Sequence, residues 1–265
     1  MAYEAIISEK EGTTGIITFN RPERRNAFSM QLIREMHLSL DEMKADKEVR
    51  VLILTGGNQW FSAGMDLKDV RTMSKDVRTM SLPPEDLELA RAFFRKVENF
   101  PRPVIAAISG ACVAGGCELI VCCDLRIASD SAFIGLSEIL FGALPVGGAI
   151  HRLPRITGMG KAKEMIFTGE NIDAREAYRI GLVNKVVPVA SLMDEAKAMA
   201  NKLAGLSEPA LRLAKFAINK GMKIDLDTAL EYDTYALANI GTLEEQAEAR
   251  RKAAEKSGVY KRLFG

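Results

Sequence analysis

The sequence predicts an α/β fold with helices layered against sheets, and three observations carry that prediction. Short apolar runs such as "VLILTGG" (residues 51–57) and "VIAAIS" (104–109) are the length of buried strands. Between them, apolar residues recur at helical spacing. Glycines stand at the joints, and strand, glycine-rich turn and helix alternate along the first two thirds of the chain. In chain order, "YEAIIS" and "TGIITFN" read as a hairpin around Gly12. "NRPERRNAFS" then breaks regular structure. From about Met30 to Lys47, Ile33, Met36, Leu40 and Met43 mark one face of a helix. A further helix is expected over about Asp86 to Val97. "GACVAGG" leads from a strand into the apolar "CELIVCCD". Asp173, with Glu176 three residues on, opens a capped helix that Gly181 stops. After Val187 the chain turns rich in Ala, Leu, Lys and Glu, and from about Ser191 it reads as four helices. Residues 1–190 are therefore expected to form the core, and 191–265 a helical appendage.

Composition narrows the function. Charged residues make up 27% of the 265, and the formal net charge is +1. Balanced charge with 6% aromatics argues against a nucleic-acid or anionic-membrane partner. No apolar run approaches the roughly 20 residues that span a bilayer, and the first residues lack the pattern of a secretory signal. The four cysteines cluster at Cys112, Cys117, Cys122 and Cys123, and the two histidines, His37 and His151, lie elsewhere. That spacing fits neither a disulfide framework nor a zinc site. Reduced core thiols in a reducing, cytoplasmic setting, with no metal, are expected.

Two stretches share one chemical logic. In "FSAGMDL", Gly64 permits an unusual turn that leaves the N–H of Met65 free to point outward. In "GACVAGGCEL", Gly115 and Gly116 stand where a strand passes into a helix, whose first N–H groups lack internal partners. Two such N–H groups converging on one point would form an oxyanion hole; each glycine pair alone is equally a tight turn. Glu118 and Glu138 lie among apolar residues, where carboxylates are seldom left without a partner or a task. They are candidates for shared acid and base work, with helix capping as the plainer reading. No GxSxG, HExxH, GxGxxG or Walker A pattern is present.

"NRPERRNAFS", "FSAGMDL", "GACVAGGCELIVCCDLRIAS", "SEILFGALPVGG" and "FTGENIDAREAYRIGLVNKVVP" occur in this order. Together they resemble the enoyl-CoA hydratase/isomerase family, the crotonases, over roughly Tyr3 to Lys261. The resemblance implies a β/α spiral of ββα turns with a C-terminal helical trimerisation region, and trimers that pair into hexamers. It implies an acyl-CoA thioester as ligand, coenzyme A being part of the substrate rather than a cofactor. The thioester oxygen would sit between the N–H groups of Met65 and Gly115, and Glu118 and Glu138 would act on water. The backbone around Ala63, Asp66, Leu67 and Lys68 would meet the adenine. Arg24 and Arg25 would meet phosphates, and Lys261, in "VYK", would reach the coenzyme, often from a neighbouring subunit.

Hydration of a 2,3-unsaturated acyl-CoA is the activity expected. The alternatives are double-bond isomerisation, reaction on a branched or cyclic acyl-CoA and, more distantly, an RNA-binding relative. The chain departs from the family's PGxGG at Val146, where a β-branched residue would resist a left-handed backbone. It also carries "KDVRTMS" twice in succession, at residues 68–81. The repeat is too short and too few for a solenoid. It reads either as a duplicated surface loop or as a Val/Met-lined lid over the acyl chain, with Val70, Met73, Val77 and Met80 on one face.

Overall fold

The computed structural model describes residues 3–69, 82–242, 244, 246–248, 250 and 251. Most of the KDVRTMS repeat and Lys261 lie outside them. The expected hairpin is β1 (Ile6–Glu11) and β2 (Thr14–Phe19), paired antiparallel with Ile6 opposite Phe19. Helix α1 (Met30–Ala45) follows. Its N-cap Ser29 accepts a hydrogen bond from the Leu32 N–H, and it buries the expected stripe of Ile33, Met36, Leu40 and Met43.

Three ββα turns then succeed one another. The first is β3 (Val51–Thr55), β4 (Trp60–Ser62) and α2 (Pro84–Glu98). The second is β5 (Val104–Ile108), β6 (Ala111–Val113) and α3 (Gly115–Ile120). The third is β7 (Leu125–Ser129), β8 (Phe133–Gly135), a 3-10 turn at Ser137–Phe141 and α4 (Ala149–Thr157). Each turn places its first strand in a six-stranded sheet and its second in a four-stranded sheet. With β9 (Ile172–Asp173) and β10 (Lys185–Val187), the orders are β1-β2-β3-β5-β7-β10 and β4-β6-β8-β9. Helices α5 (Met159–Thr168) and α6 (Ala174–Arg179) connect these strands. Asp173 caps α6 by accepting from the Glu176 N–H, as its spacing predicts.

The central strands are buried on both faces, which is why they read as unbroken apolar runs. Leu52, Leu54, Val104, Ala106 and Ile108 face the main core with α1 and α2. Val51, Ile53, Ile105 and Ala107 face the other way, onto Leu192, Ala196 and Ala200 of α7 (Leu192–Ala204). The first helix of the expected appendage therefore roofs the six-stranded sheet. Beyond it lie α8 (Glu208–Gly221) and α9 (Leu226–Ala238); the described residues from 244 to 251 are also helical. The sequence reading ended strands in "FSAGMDL" and "GACVAGGCEL" without separating β4 and β6 from the strands before them, and it missed β8. Each is three residues long, too short for period-2 alternation to register.

Candidate active site

β4, β6 and β8 are parallel neighbours in the small sheet, so successive turns of the spiral end side by side. Met65 follows β4, Gly115 and Glu118 follow β6, and Glu138 follows β8. Residues spread over more than seventy positions thus reach one end of one sheet by repetition of a single unit.

The backbone at Met65 is set by a parallel bridge to Phe28. The Phe28 N–H donates to the Gly64 carbonyl (2.7 Å), and the Asp66 N–H donates to the Phe28 carbonyl (3.0 Å). This bridge uses the groups on either side of Met65 and turns its own N–H away from Phe28. Gly115 opens α3, so its N–H has no intrahelical partner. The two segments touch. A Cβ on Gly64 would lie 2.8 Å from the Gly115 nitrogen, and a Cβ on Gly115 would lie 3.4 Å from the Met65 nitrogen. Gly64 also has φ of +86°, so the approach and the turn both demand glycine there. Between the donors stands Ala114, held at φ 48° and ψ −123°. That conformation is costly for a residue with a Cβ, and such outliers gather at functional sites. The structure brings Met65 and Gly115 together as expected.

Glu118 is 4% exposed. Burial raises its pKa to about 7. The nearby Glu138 carboxylate pushes the same way, and the N–H groups of Ala149, Gly147 and Gly148 oppose it. The turn before α4 is therefore an anion cradle for Glu118. Val146 in that turn does not adopt a left-handed backbone. Among the described non-glycine residues only Arg25, Asn26 and Ala114 do, and Gly148 (φ +108°) carries the turn's positive φ. The strain expected at Val146 is thus absent. A side chain on Gly147 would meet the Phe94 ring at 2.6 Å and Glu118 Oε2 at 2.9 Å. Phe94 is the end of an edge-packed series, Phe28–Phe93–Phe94, that walls the site with apolar surface. Glu138 is half-buried in the 3-10 turn. Burial raises its pKa also, and its Oε2 is buried without a hydrogen-bond partner. A buried carboxylate oxygen left unpaired is a place where a ligand hydrogen bond fits.

The expected coenzyme-binding residues divide. Arg24 and Arg25 are exposed on the first loop, with the Arg25 guanidinium 5.4 Å from the Trp60 ring centroid. Leu67 and Lys68 are exposed. The Ala63 N–H is already committed to the Arg25 carbonyl (3.0 Å). The Asp66 side chain turns inward to Arg21 (2.9 Å) and accepts from the Lys68 N–H. Burial is the largest single influence and would raise its pKa, but Arg21 and the N–H groups of Lys68 and Asp69 together hold it below the ordinary carboxylate value. Asp66 thus braces the turn through its side chain, and its N–H is committed to Phe28. Arg21 and Asn26 escaped the sequence reading. Asn26, buried with φ of 53°, donates to the carbonyls of Gly56 and Trp60 and ties the first loop to β4. Asparagine tolerance of that conformation was the available signal.

The four cysteines are buried and unbonded, their thiol pKa values raised by burial, and no metal-holding group occurs among the described residues. No helix among them is long and apolar enough to cross a membrane.

The family model described as enoyl-CoA hydratase/isomerase matches residues 9–261. The chain belongs to the enoyl-CoA hydratase/isomerase family. It is 41% identical over 261 residues to the short-chain-enoyl-CoA hydratase of Clostridium acetobutylicum, covering 98% of each chain. It is 38% identical to the crotonyl-CoA hydratase of Syntrophomonas wolfei, covering 97% of each. The crystal structure of an enoyl-CoA hydratase from Bacillus anthracis superposes with a TM-score of 0.87 at 37% identity, over 96% of each chain. The spiral and its C-terminal helices are those of this crotonase family.

Proposed function

We propose that this member of the family is an enoyl-CoA hydratase, a hydro-lyase that adds water across the 2,3 double bond of an enoyl-CoA thioester. The observation that carries this reading is a pair of glutamates, Glu118 buried and Glu138 half-buried, beside the adjoining backbone at Met65 and Gly115. The N–H groups of Met65 and Gly115 polarise the thioester carbonyl and stabilise the enolate that follows, making C3 electrophilic. Glu118 takes a proton from the attacking water, and Glu138 delivers one to C2.

Burial raises the pKa of both carboxyls, with the larger shift on Glu118, so the division of labour rests on the hydrogen bonds around each group rather than on their order of titration. Glu118 Oε1 accepts from the Ala149 N–H (3.4 Å), and the N–H groups of Gly147 and Gly148 beside it also favour the anion that a base needs. Glu138 gains support only from its own backbone N–H, which suits it to hold the proton. Arg24 and Arg25, exposed on the first loop, would meet the coenzyme's phosphates, and the main chain around Ala63 to Lys68 its adenine.

The test is consumption of crotonyl-CoA, followed by loss of the conjugated thioester absorbance, with Glu138→Gln alongside. The wild type is expected to turn over and the variant to lose about 10²–10⁴ in rate. A wild type inert on a panel of enoyl-CoAs overturns the reading.

A homotrimer or hexamer completes the proposal. Leu226, Leu237 and Tyr235 on α9, and Ile218 on α8, leave large apolar surface in solvent on the single chain. Leu226→Lys with Leu237→Lys is expected to lower the mass measured by light scattering toward that of one 29.0 kDa chain. An unchanged mass removes α9 from the interface.

A further inference from the structure

A second set of charged residues stands directly behind Glu118, outside the reacting groups. Arg152, on the second turn of α4, makes a two-pronged ion pair with Glu98, the last residue of α2. Its Nε donates to Oε1 and its Nη2 to Oε2, both at 2.9 Å. Its remaining Nη1 donates to the carbonyl of Gly147 at 3.1 Å. That peptide lies in the turn whose N–H groups cradle Glu118. The turn is shaped around the guanidinium, since a Cβ on Gly148 would lie 2.0 Å from Arg152 Nη1.

We infer that Arg152, locked by Glu98, is a positioning residue: it fixes the 147–149 turn so that its N–H groups present Glu118 to water in one orientation. The inference deepens the hydratase reading and rests on it.

The geometry gives three reasons. A guanidinium that spends both prongs on one carboxylate is pre-organised, unlike a lysine at the same place. Its partner Glu98 is itself held from another element. Glu98 also accepts an ion pair from Lys223 (3.6 Å), and its carbonyl accepts from Asn219 Nδ2 (3.3 Å), so the C-terminal helices buttress the clamp. Finally, Arg152 and Glu98 face a cavity of about 870 Å³ beside α8, on the wall that also carries Gly147 and Gly148. The charged and titratable groups around Glu118 and the clamp are Glu138 from the 3-10 turn, His151, Arg152 and Arg155 from α4, Arg91, Arg95 and Glu98 from α2, Arg126 of β7 with Asp124 before it, Lys215 of α8 and Lys223 beyond it, and the thiols of Cys117, Cys122 and Cys123.

The test compares wild type with Arg152→Gln, Arg152→Lys and Glu98→Gln. The readouts are kcat, KM and the pH dependence of kcat/KM on crotonyl-CoA. A parallel ¹³C NMR titration of the Glu118 carboxyl in glutamate-labelled protein is assigned with Glu118→Gln. Arg152→Gln is expected to lose about 10–100-fold in kcat, because a misplaced catalytic group costs rate steeply, with KM little changed. The Glu118 midpoint should rise by about one pH unit as its donors loosen and a positive charge is lost. Arg152→Lys should restore part of both effects. Rate loss with an unmoved midpoint, or a folded Arg152→Gln with wild-type kcat, overturns the proposal. Should Arg152→Gln not fold, Arg152→Lys and Glu98→Gln decide it by the same readouts. Should the wild type hydrate nothing, the hydratase reading falls on its own, and the NMR midpoint alone decides whether Arg152 positions Glu118.

Discussion

Glu118→Gln is expected to abolish turnover and at the same time make the protein more stable at alkaline pH. The rate loss follows from removing the base, about 10²–10⁴-fold. The stability gain follows from the raised pKa. In the folded chain Glu118 titrates at about 7 against 4.5 for a free glutamate, so between these values the native state binds a proton that the unfolded chain has released. The contribution of this group is therefore fully present below about pH 4.5 and is lost as pH rises through 7. Above 7 the fold carries a buried anion at a cost of about 3 kcal/mol. Glutamine keeps an oxygen for the Gly147–Ala149 donors and carries no charge. Thermal unfolding at pH 8 should show Glu118→Gln above wild type by about 5–10 °C, and the difference should vanish near pH 4.5. A variant less stable than wild type at pH 8, or a gain independent of pH, would show that burial does not shift this carboxyl. The same titration places the acidic limb of the wild-type kcat/KM profile near pH 7, where free enzyme loses its base.

Which parts of this site were visible before the fold was known follows from how each is built. Glu118 and Glu138 stood out because a carboxylate in an apolar run is a local anomaly. Met65 and Gly115 stood out because glycine marks close backbone approach. What brings them together, the three parallel strands β4, β6 and β8, was not legible, since three residues carry no period. The cradle at residues 147–149 hid for another reason. Its donors are main-chain groups, which any sequence possesses, and attention went instead to Val146, whose feared strain falls on Gly148. Arg152 and Glu98 each read as ordinary helix-face charges; their pairing spans 54 residues and exists only once α2 and α4 are packed. The Asp66 carboxylate was not read in the sequence at all, because its partner Arg21 lies 45 residues away.

Gly115→Ala offers the cleanest separation of the oxyanion hole from the fold. Gly64 would be the wrong choice. Its φ of +86° strains any other residue, and its Cβ would stand 2.8 Å from both the Gly115 nitrogen and Ala114 Cβ, so Gly64→Ala would damage stability and activity together. Gly115 has no left-handed φ and begins a helix, where alanine is favourable. A Cβ there would lie 3.3 Å from Gly64 Cα and 3.4 Å from the Met65 nitrogen and the Phe28 ring. Those contacts are tight but bearable if the two segments part by a few tenths of an ångström. The displacement falls on the line between the two donors. A hole aimed at a developing oxyanion loses about 2.7–4 kcal/mol when one donor is lost, which is about 10²–10³ in kcat. Gly115→Ala is therefore expected to unfold within a few degrees of wild type while its kcat on crotonyl-CoA falls by about 10²-fold. The acidic limb near pH 7 should stay in place, because Glu118 and its cradle are untouched. The contrast with Glu118→Gln is the decisive comparison, since one variant removes the base and the other the electrostatic trap. If Gly115→Ala keeps wild-type kcat at unchanged stability, the thioester oxygen does not bind between Met65 and Gly115, and the carbonyl must be polarised elsewhere.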